Sequence, residues 1–367
     1  MTSRFGAALS EHPVTAMAVG EVIGEVLERV GEAPDLALLF VTPPHAGAID
    51  DAAAAVRATL RPTTLLGCTA ESVVGNAREV EGEPAVTLWA GHTGPVTPVR
   101  LDTDAGDHAV TVPDDASGLV LLADPFTFPT EEVIAALDVP VTGGMASAAR
   151  GPGGNRLVLD GAVHTTGAVG AFVGPTARFG TIVSQGCRPI GEPFAVTKAE
   201  RNLIYELGGK PALERLTELF QACGADDRRL MNSGLHVGRV INEHKLDFQR
   251  GDFLVRNVLG GDKSTGAIAV GDLVDIGATV QFHVRDAETA DEDLRSLLAG
   301  ECATGALLFT CNGRGTRLFG SPDHDAEVVS EALDGVPLAG FFAAGELGPV
   351  GGRNFLHGFT ASLALFE

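Results

Sequence analysis

The amino-acid sequence predicts a mixed α/β (α+β) protein of two domains, in which mixed β-sheets are flanked by helices. The first observation is a threefold repeat of strand–helix–strand–meander units, each opening with a short apolar run at residues 36–40, 119–123 or 306–309. The second is that hydrophobic residues make up 45% of the 367 residues, which is enough for a sizeable core. Related units present their loops in related places, so we expect loops gathered around a small molecule.

Hydrophobic periodicity predicts the elements of the first two repeats. Residues 12–30 carry apolar side chains at helical spacing, and Pro34 ends this helix before a buried strand at 36–41. The pattern then predicts a helix at 51–60, strands at 65–68, 84–90 and 96–101, a helix at 131–137, and a hairpin of 157–159 and 162–173. Asp160-Gly161 is typical of the turn of such a hairpin.

A capping box marks the middle of the chain. Residues 197–200 (Thr-Lys-Ala-Glu) predict the start of a helix that carries the apolar residues at 203, 204 and 207. Gly208-Gly209 would end this helix, and Pro211 would begin a second one. We expect the domain boundary near residue 190, which gives domains of residues 1–190 and 191–367. The second domain is predicted to hold strands at 234–241, 253–258 and 279–284 and helices at 286–298 and 323–333.

The chain is strongly acidic, with 26 Lys and Arg, 48 Asp and Glu, and a formal net charge of −22. This charge repels phosphate backbones and anionic membrane surfaces, so we expect neither a nucleic-acid nor a membrane partner. No run of about 18 apolar residues and no signal-peptide pattern is present. The five cysteines are unevenly spaced, which indicates no disulfide framework. We therefore expect a cytoplasmic protein.

The sequence lacks the usual metal and phosphate motifs. There is no C-x-x-C or H-E-x-x-H, so no metal site is expected. Residues 260–266 resemble a phosphate loop, but Asp262 stands where glycine should precede the lysine, so we expect a hairpin turn. No cofactor is expected, although His45, His164 or His357 could serve as a haem ligand.

Two cysteines, Cys68 and Cys311, each follow the end of a predicted strand. Either thiol could act as a nucleophile, and Arg314 could supply the positive charge that Cys311 would need. The alternative is that both are small packing residues at tight turns, and we favour that interpretation.

Arg314 and Glu346 are the most informative polar residues. Arg314 ends the loop Cys311-Asn312-Gly313, where its guanidinium could bind a carboxylate. Gly345-Glu346 lies at the matching place on the other side of the repeat, where the carboxylate could accept an ammonium group. An Arg and a Glu on facing loops suit an amino acid. The alternative is a salt bridge between Arg314 and Glu346 that holds the two loops together.

These residues resemble the FIST family (F-box and intracellular signal transduction proteins). The resemblance is carried by residues 309–314, 340–349 and 356–360 in the carboxy-terminal part, by 36–40, 67–69 and 143–144 in the amino-terminal part, and by 184–191, 196–197 and 202–207 between them. The family usually has Ser at the position of Thr310 and Asn at that of Gly358. Together these segments extend over nearly the whole chain.

The resemblance implies a sensory module that binds small ligands, usually suggested to be amino acids, and that in relatives is often fused to a histidine kinase. No segment of this sequence looks like such an output domain, so we expect a stand-alone sensor that acts through a separate partner such as a kinase. Some relatives are described as haem-binding nitric oxide sensors, which makes a gas sensor the first alternative; an enzyme with a Cys nucleophile is the second. We expect no enzyme activity. Arg314 would bind an anionic group, Glu346 a cationic one, and the glycines would let backbone approach the ligand. The predicted ligand-binding residues are Arg314, Glu346, Cys311, Asn312, Gly313, Gly345, Gly67, Cys68, Thr69, Gly143, Gly144, Arg188 and His357.

Overall fold

The computed structural model describes residues 4–102, 110–245, 247–248 and 250–367, and the predicted mixed α+β class is confirmed. The chain forms two compact units, one of residues up to Ser184 together with Leu294–Glu367, and one of residues Gln185–Asp293. The predicted domains of residues 1–190 and 191–367 are divisions of the sequence and stay a prediction. The two compact units have other boundaries, because strands in the last part of the chain pair with strands from its first half.

The first unit contains three repeats of one strand order. Repeat one comprises β1 (Phe5–Ser10), α1 (Thr15–Val30), β2 (Leu36–Val41), a 3₁₀ turn (Pro43–Ala48), α2 (Ile49–Thr59), β3 (Thr64–Thr69), β4 (Ser72–Gly75), β5 (Arg78–Glu81) and β6 (Val86–Gly91). Repeat two comprises β7 (Val96–Leu101), β8 (Gly118–Ala123), α3 (Thr130–Ala135), β9 (Val141–Met145), β10 (Leu157–Leu159), β11 (Ala162–His164) and β12 (Ala168–Val173). Repeat three opens with β13 (Phe179–Gln185) and is then interrupted.

The second unit is the interruption. Its elements are β14 (Cys187–Glu200), β15 (Leu203–Leu207), β16 (Lys210–Pro211), α4 (Ala212–Ala222), α5 (Ala225–Ser233), β17 (Leu235–Val240), a 3₁₀ turn (Arg250–Asp252), β18 (Phe253–Asp262), β19 (Ala267–Val270) and β20 (Thr279–Arg285). The next helix, α6 (Ala287–Leu298), begins in the second unit, and its residues from Leu294 onward belong to the first. All strand pairs are antiparallel, in the order β14-β20-β17-β18-β19-β15-β16. Because β14 is long enough to pair with both β20 and β15, six strands form a closed circuit.

Repeat three then resumes with β21 (Gly305–Cys311), α7 (Thr316–Phe319), α8 (His324–Ala332), β22 (Leu338–Ala343), β23 (Glu346–Val350), β24 (Arg353–His357) and β25 (Thr360–Phe366). In every repeat, two strands joined through helical chain form a parallel pair: β2–β3, β8–β9 and β21–β22. The closing strand of each repeat, β6, β12 or β25, lies antiparallel beside the first strand of that pair. The predicted repeat is therefore confirmed as a repeat of strand order.

Each sheet is completed by a hairpin from a different repeat. The β10–β11 hairpin of repeat two pairs with β3, the β23–β24 hairpin of repeat three pairs with β9, and the β4–β5 hairpin of repeat one pairs with β22. The first sheet is β1-β6-β2-β3-β10-β11, the second β24-β23-β9-β8-β12-β7, and the third β13-β25-β21-β22-β4-β5. An open edge on the parallel pair would leave backbone groups unpaired, so this exchange makes the repeats depend on one another.

Ser147 joins the ends of three central strands through its backbone and its hydroxyl group. Ser147, just beyond β9, donates its backbone N–H to the Thr69 carbonyl oxygen at the end of β3 (3.3 Å). Its hydroxyl donates to the Phe342 carbonyl oxygen on β22 (2.5 Å) and accepts from the Glu71 N–H (2.9 Å). The carboxyl ends of the second strands of all three repeats therefore meet, as the repeated loops predicted.

The core of the first unit is layered by strand alternation. Side chains on one face of each sheet, such as Phe40, Val120 and Phe309, join one central hydrophobic cluster. Side chains on the opposite faces pack under helices, with α1 and α2 on the first sheet, α3 on the second, and α6 and α8 on the third.

The helix predicted from the capping box is wrong. Residues 197–207 form the end of β14 and all of β15, which turn at Arg201 with φ +54°. The Thr197 hydroxyl accepts from the Gly209 N–H (3.0 Å) and does not cap a helix. Gly208-Gly209 makes the turn into β16. Pairing of β15 with β14 and β19 outweighs a local signal worth about 1 kcal/mol.

Other local predictions are confirmed. Asp160-Gly161 joins β10 to β11, and the helix predicted to begin at Pro211 begins one residue later, at Ala212. Residues 260–262 end β18 and residues 263–266 turn into β19, where the Asp262 carboxylate accepts from the Ser264 N–H (2.8 Å) and from the Thr265 hydroxyl (2.8 Å). This segment is a hairpin turn and not a phosphate loop.

A glycine stands at the same position in each parallel strand pair. Gly67, Gly143 and Gly340 lie opposite Leu39, Leu121 and Leu308. A Cβ at these glycines would lie 2.4, 1.9 and 1.7 Å from the carbonyl oxygen of the opposite leucine. Strand pairing is therefore sufficient to account for Gly67 and Gly143 without a ligand.

We expect Gly340→Ala to lower the free energy of unfolding by about 3 kcal/mol, because the added methyl group overlaps the Leu308 carbonyl oxygen. Gly20→Ala is the matched control: this glycine lies in α1 with no atom within 4 Å of the added carbon, and the change should stabilise by about 0.5–1 kcal/mol. Urea unfolding measures both. Equal stability of Gly340→Ala and wild type would contradict the explanation.

Candidate functional site

A fully buried ion pair follows the end of β21. Arg314 donates from Nε to Asp325 Oδ2 (2.6 Å) and from Nη2 to Oδ1 (2.7 Å), and neither side chain is exposed. The Thr310 hydroxyl also donates to Oδ2 (2.7 Å). Burial raises the pKa of Asp325, but the nearby guanidinium outweighs burial and holds that pKa below its usual range. Burial lowers the pKa of Arg314, and Asp325 more than reverses this. Both groups therefore stay charged.

Two further buried carboxyl groups flank this pair. Glu79 on β5 accepts from the Ala326 N–H (3.0 Å), and Glu346 on β23 accepts from the Thr360 N–H (3.1 Å) and hydroxyl (2.8 Å). Burial raises the pKa of each carboxyl group to about 8, and Asp325 adds to the effect on Glu79. Both carboxyl groups are therefore mostly protonated at pH 7. We call Glu79, Arg314, Asp325 and Glu346 the buried ionic cluster.

Several buried polar atoms of this region have no hydrogen-bond partner within the described residues. They are Arg314 Nη1, Glu346 Oε1, Glu79 Oε2 and Oδ1 of the adjacent Asn312. Proteins pair nearly all buried polar groups, and each one left unpaired costs about 1–3 kcal/mol. The loop of Cys311, Asn312 and Gly313 above them is half-buried. Their unused hydrogen-bonding capacity could be satisfied by a small polar molecule.

Comparison of the repeats singles out the third one. By register, Glu346 opposite Gly144 corresponds to Val73 opposite Phe341 and to Leu157 opposite Cys68. Val73 and Leu157 belong to the central hydrophobic cluster. Thr310 likewise corresponds to Val41 and Ala123, which pack under helices. The third repeat therefore carries polar groups where its sister repeats carry apolar ones.

The structure brings many of the predicted site residues together. Asn312 donates its N–H to the Ala343 carbonyl oxygen (3.0 Å), and Gly345 accepts from the Met145 N–H (2.9 Å). Cys311 lies close enough to Glu346 to lower its pKa. The residues gathered around β21, β23 and β9 are Cys311, Asn312, Gly313, Arg314, Gly345, Glu346, Gly143, Gly144 and His357.

Other predicted residues lie outside the buried ionic cluster, although Thr69 is at the junction of strand ends that Ser147 joins. Gly67, Cys68 and Thr69 belong to the first sheet; Cys68 is fully buried, and burial raises the pKa of its thiol well above the ordinary value. Arg188 lies in the second unit, where Nε donates to Asp286 (2.6 Å) and Nη2 to Asp227 (2.5 Å). A raised pKa disfavours the thiolate, which counts against Cys68 as a nucleophile.

The partner of Arg314 differs from the one considered in the sequence. Arg314 forms its ion pair with Asp325, so the alternative of a salt bridge between Arg314 and Glu346 is wrong. Nε and Nη2 of Arg314 both donate to Asp325 and are therefore not available to a ligand. The sequence indicated neither Asp325 nor Glu79. Asp325 lies in the first turn of a helix that was predicted, but nothing in its spacing marks it as an arginine partner.

The three histidines considered as haem ligands lie in different surroundings. His357 Nε2 lies 2.9 Å from the Gly348 carbonyl oxygen, to which it donates, so an axial bond would break this contact. His45 Nδ1 lies 2.9 Å from the Thr15 hydroxyl, and its Nε2 is buried. His164 stands on the short edge strand β11. Within the described ranges, no three His, Cys, Asp or Glu side chains are placed to hold a metal ion.

The helices were compared with the length and hydrophobicity that a membrane-spanning helix needs. In the part of the chain that is described, none is both long and apolar enough to cross a membrane.

Comparison with known proteins agrees with this architecture. The FIST N domain model matches residues 35–210, and the FIST C domain model matches residues 212–349. An uncharacterized protein of Mycobacterium tuberculosis is 44% identical over 381 residues, with 99% of both chains covered. An uncharacterized protein of Mycobacterium bovis is 45% identical over 381 residues, covering 99% of this chain and 98% of its own.

We expect Arg314→Ala to destabilise the protein by about 3–5 kcal/mol, because it leaves the Asp325 carboxylate buried and unpaired. Arg314→Met combined with Asp325→Leu should recover most of this loss, since it removes both charges. Arg317→Ala, which breaks an exposed ion pair with Glu71, is the control and should cost under about 1 kcal/mol. Urea unfolding distinguishes these cases. A stable Arg314→Ala protein would show that the pair is not structural.

The protonated carboxyl groups predict that stability falls as pH rises. The folded protein keeps the Glu346 proton up to about pH 8, whereas the unfolded chain releases it near the ordinary value of 4.5. The contribution of Glu346 to the free energy of unfolding is therefore greatest below pH 4.5. It declines between pH 4.5 and about pH 8, by at most about 1.4 kcal/mol per pH unit.

Glu346→Gln should make this decline shallower in urea unfolding between pH 5 and 8, because its amide cannot ionise. The exposed Glu331→Gln should keep the wild-type slope. Identical slopes in Glu346→Gln and wild type would show that Glu346 is ionised in the folded protein.

Proposed function

The chain belongs to the FIST family, and we propose that it is a sensory protein that binds an amino acid or a related small carboxylate. FIST domains are associated with small-ligand sensing in signal transduction. The observation that carries the ligand site is the set of unpaired buried atoms Asn312 Oδ1, Arg314 Nη1 and Glu346 Oε1. A molecule that formed hydrogen bonds with these atoms would remove the free-energy cost of leaving them unpaired in the folded protein.

Preorganisation supports a binding role for these atoms. Two hydrogen bonds that Arg314 donates to Asp325 hold its guanidinium, so little side-chain freedom is lost when Nη1 contacts a ligand. Glu346 is held by Thr360 in the same way. The repeat equivalence adds to this argument, because Val73 and Leu157 show that the fold itself does not need a polar group at that position.

We propose binding and not catalysis as the activity, with no cofactor. Cys311 lies beside a carboxyl group that keeps its own proton at neutral pH, and such a group is not a base for a thiol. We propose that the signal passes to a separate protein such as a kinase. The cytoplasm is the proposed location.

A thermal-shift screen of amino acids, hydroxy acids, other small carboxylates and haemin tests this function. A bound ligand at 100 times its Kd stabilises the folded protein by about 2.7 kcal/mol and raises Tm by several degrees. Asn312→Ala should weaken binding about tenfold or more, because the ligand loses the partner at Oδ1. Asn232→Ala, an exposed residue of α5, is the matched control and should bind as wild type.

Two results would count against the proposal. One is a panel in which no amino acid or carboxylate raises Tm. The other is a ligand that binds Asn312→Ala and wild type equally. A shift with haemin alone, accompanied by a Soret band, would favour the gas-sensor alternative.

A further inference from the structure

We propose that the ligand is a small hydroxycarboxylate whose carboxylate lies between Arg314 Nη1 and Glu346 Oε1, with its hydroxyl group donating to Asn312 Oδ1. This inference rests on the proposed function and specifies its ligand class. It assigns Glu346 the role of a hydrogen-bond donor to an anion, the opposite of the ammonium acceptor suggested by the sequence.

The donors and acceptors that remain open define this chemistry. Arg314 uses Nε and Nη2 on Asp325, so Nη1 is the part of its fork that is left to donate. Glu346 uses Oε2 to accept from Thr360, so a proton on the unpartnered Oε1 can be donated. Asn312 Oδ1 is an acceptor. Two donors and one acceptor match a carboxylate that carries a hydroxyl group.

The charges of the site disfavour a zwitterionic amino acid. Arg314 and Asp325 neutralise each other within one buried pair. An ammonium group near Arg314 would meet a like charge, and the open acceptor, Asn312 Oδ1, is neutral. Burying an ammonium group without an ionised partner costs several kcal/mol, whereas a hydroxyl group needs one neutral acceptor. The ligand carboxylate would instead accept hydrogen bonds from Arg314 Nη1 and from the Glu346 carboxyl group.

The surroundings of Glu346 keep its carboxyl group neutral. The titratable groups that face it are Arg314 and Cys311 at the end of β21, while His357 pairs opposite it on β24. On β9 its register partner is Gly144, which carries no charge. Burial raises the pKa of Glu346 to about 8, even though Thr360, Arg314 and Cys311 lower it. The proton that the carboxylate needs is therefore present at neutral pH.

The test compares hydroxy acids with amino acids of the same carbon skeleton by calorimetric titration of the full chain. The probe pairs are glycolate and glycine, L-lactate and L-alanine, L-malate and L-aspartate, and L-phenyllactate and L-phenylalanine. In the pair that binds, we expect the hydroxy acid to bind at least tenfold more tightly. Its Kd should then rise about tenfold per pH unit above pH 8, as Glu346 loses its proton.

Variants identify the group that titrates. Glu346→Gln should keep binding within a few-fold and lose the pH dependence, because the amide donates a hydrogen bond but cannot ionise. Cys311→Ala should keep the pH dependence, which separates Glu346 from the neighbouring thiol. Glu346→Leu restores the side chain of the sister position Leu157, so it should fold, as circular dichroism would show, and lose binding more than tenfold.

The outcomes separate this inference from the function on which it rests. Tighter binding of the amino acid in a pair, or a Kd that falls as pH rises from 7 to 9, overturns the inference and leaves the sensor function in place. A pH dependence that survives in Glu346→Gln also overturns it. Binding by neither member of any pair, with no other small carboxylate raising Tm, overturns both.

Discussion

The first unit depends on the exchange of hairpins among its three repeats. Each parallel strand pair has one closing strand from its own repeat, and its other edge is completed by the hairpin of a different repeat. An unpaired strand edge is unfavourable, and no repeat completes its own sheet. Each repeat therefore needs the hairpin of another repeat. The glycine in each pair permits the close approach on which the pairing rests. The last strands of the chain therefore belong to the same unit as the first, and the second unit is an insertion in repeat three.

The same exchange assembles the candidate site. The hairpin of repeat one carries Glu79 into the third sheet, beside Asp325, while the hairpin of repeat three carries Glu346 onto the second sheet. The buried ionic cluster therefore draws on strands of two sheets and on the helix α8. A ligand that contacted Arg314 and Glu346 would change the relative stability of conformations that differ in how these elements pack, which is the physical requirement for a sensor.

Local patterns predicted those parts of the fold that local forces decide. The helices α1 and α8, the buried central strands and the turn at Asp262 follow from periodicity and turn chemistry, and the structure has them. The segment at 197–207 shows the limit, because its capping-box residues lie in a hairpin whose strands pair with residues far along the chain. Strand pairing outweighs the local helix signal in this short segment, and that pairing is not visible in the local sequence.

By itself, the sequence determined the repeat, the mixed α+β class and the family, and it singled out Arg314 and Glu346 because a Gly-flanked Arg and a Glu at matching loop positions are visible locally. Only the tertiary structure decided what these residues contact and which charge they carry. Glu79 and Ala326 are 247 residues apart in the sequence, and the pairing of Arg314 with Asp325 depends on how α8 packs. The protonation of Glu346 depends on burial, which is a property of the assembled sheets and of no single segment.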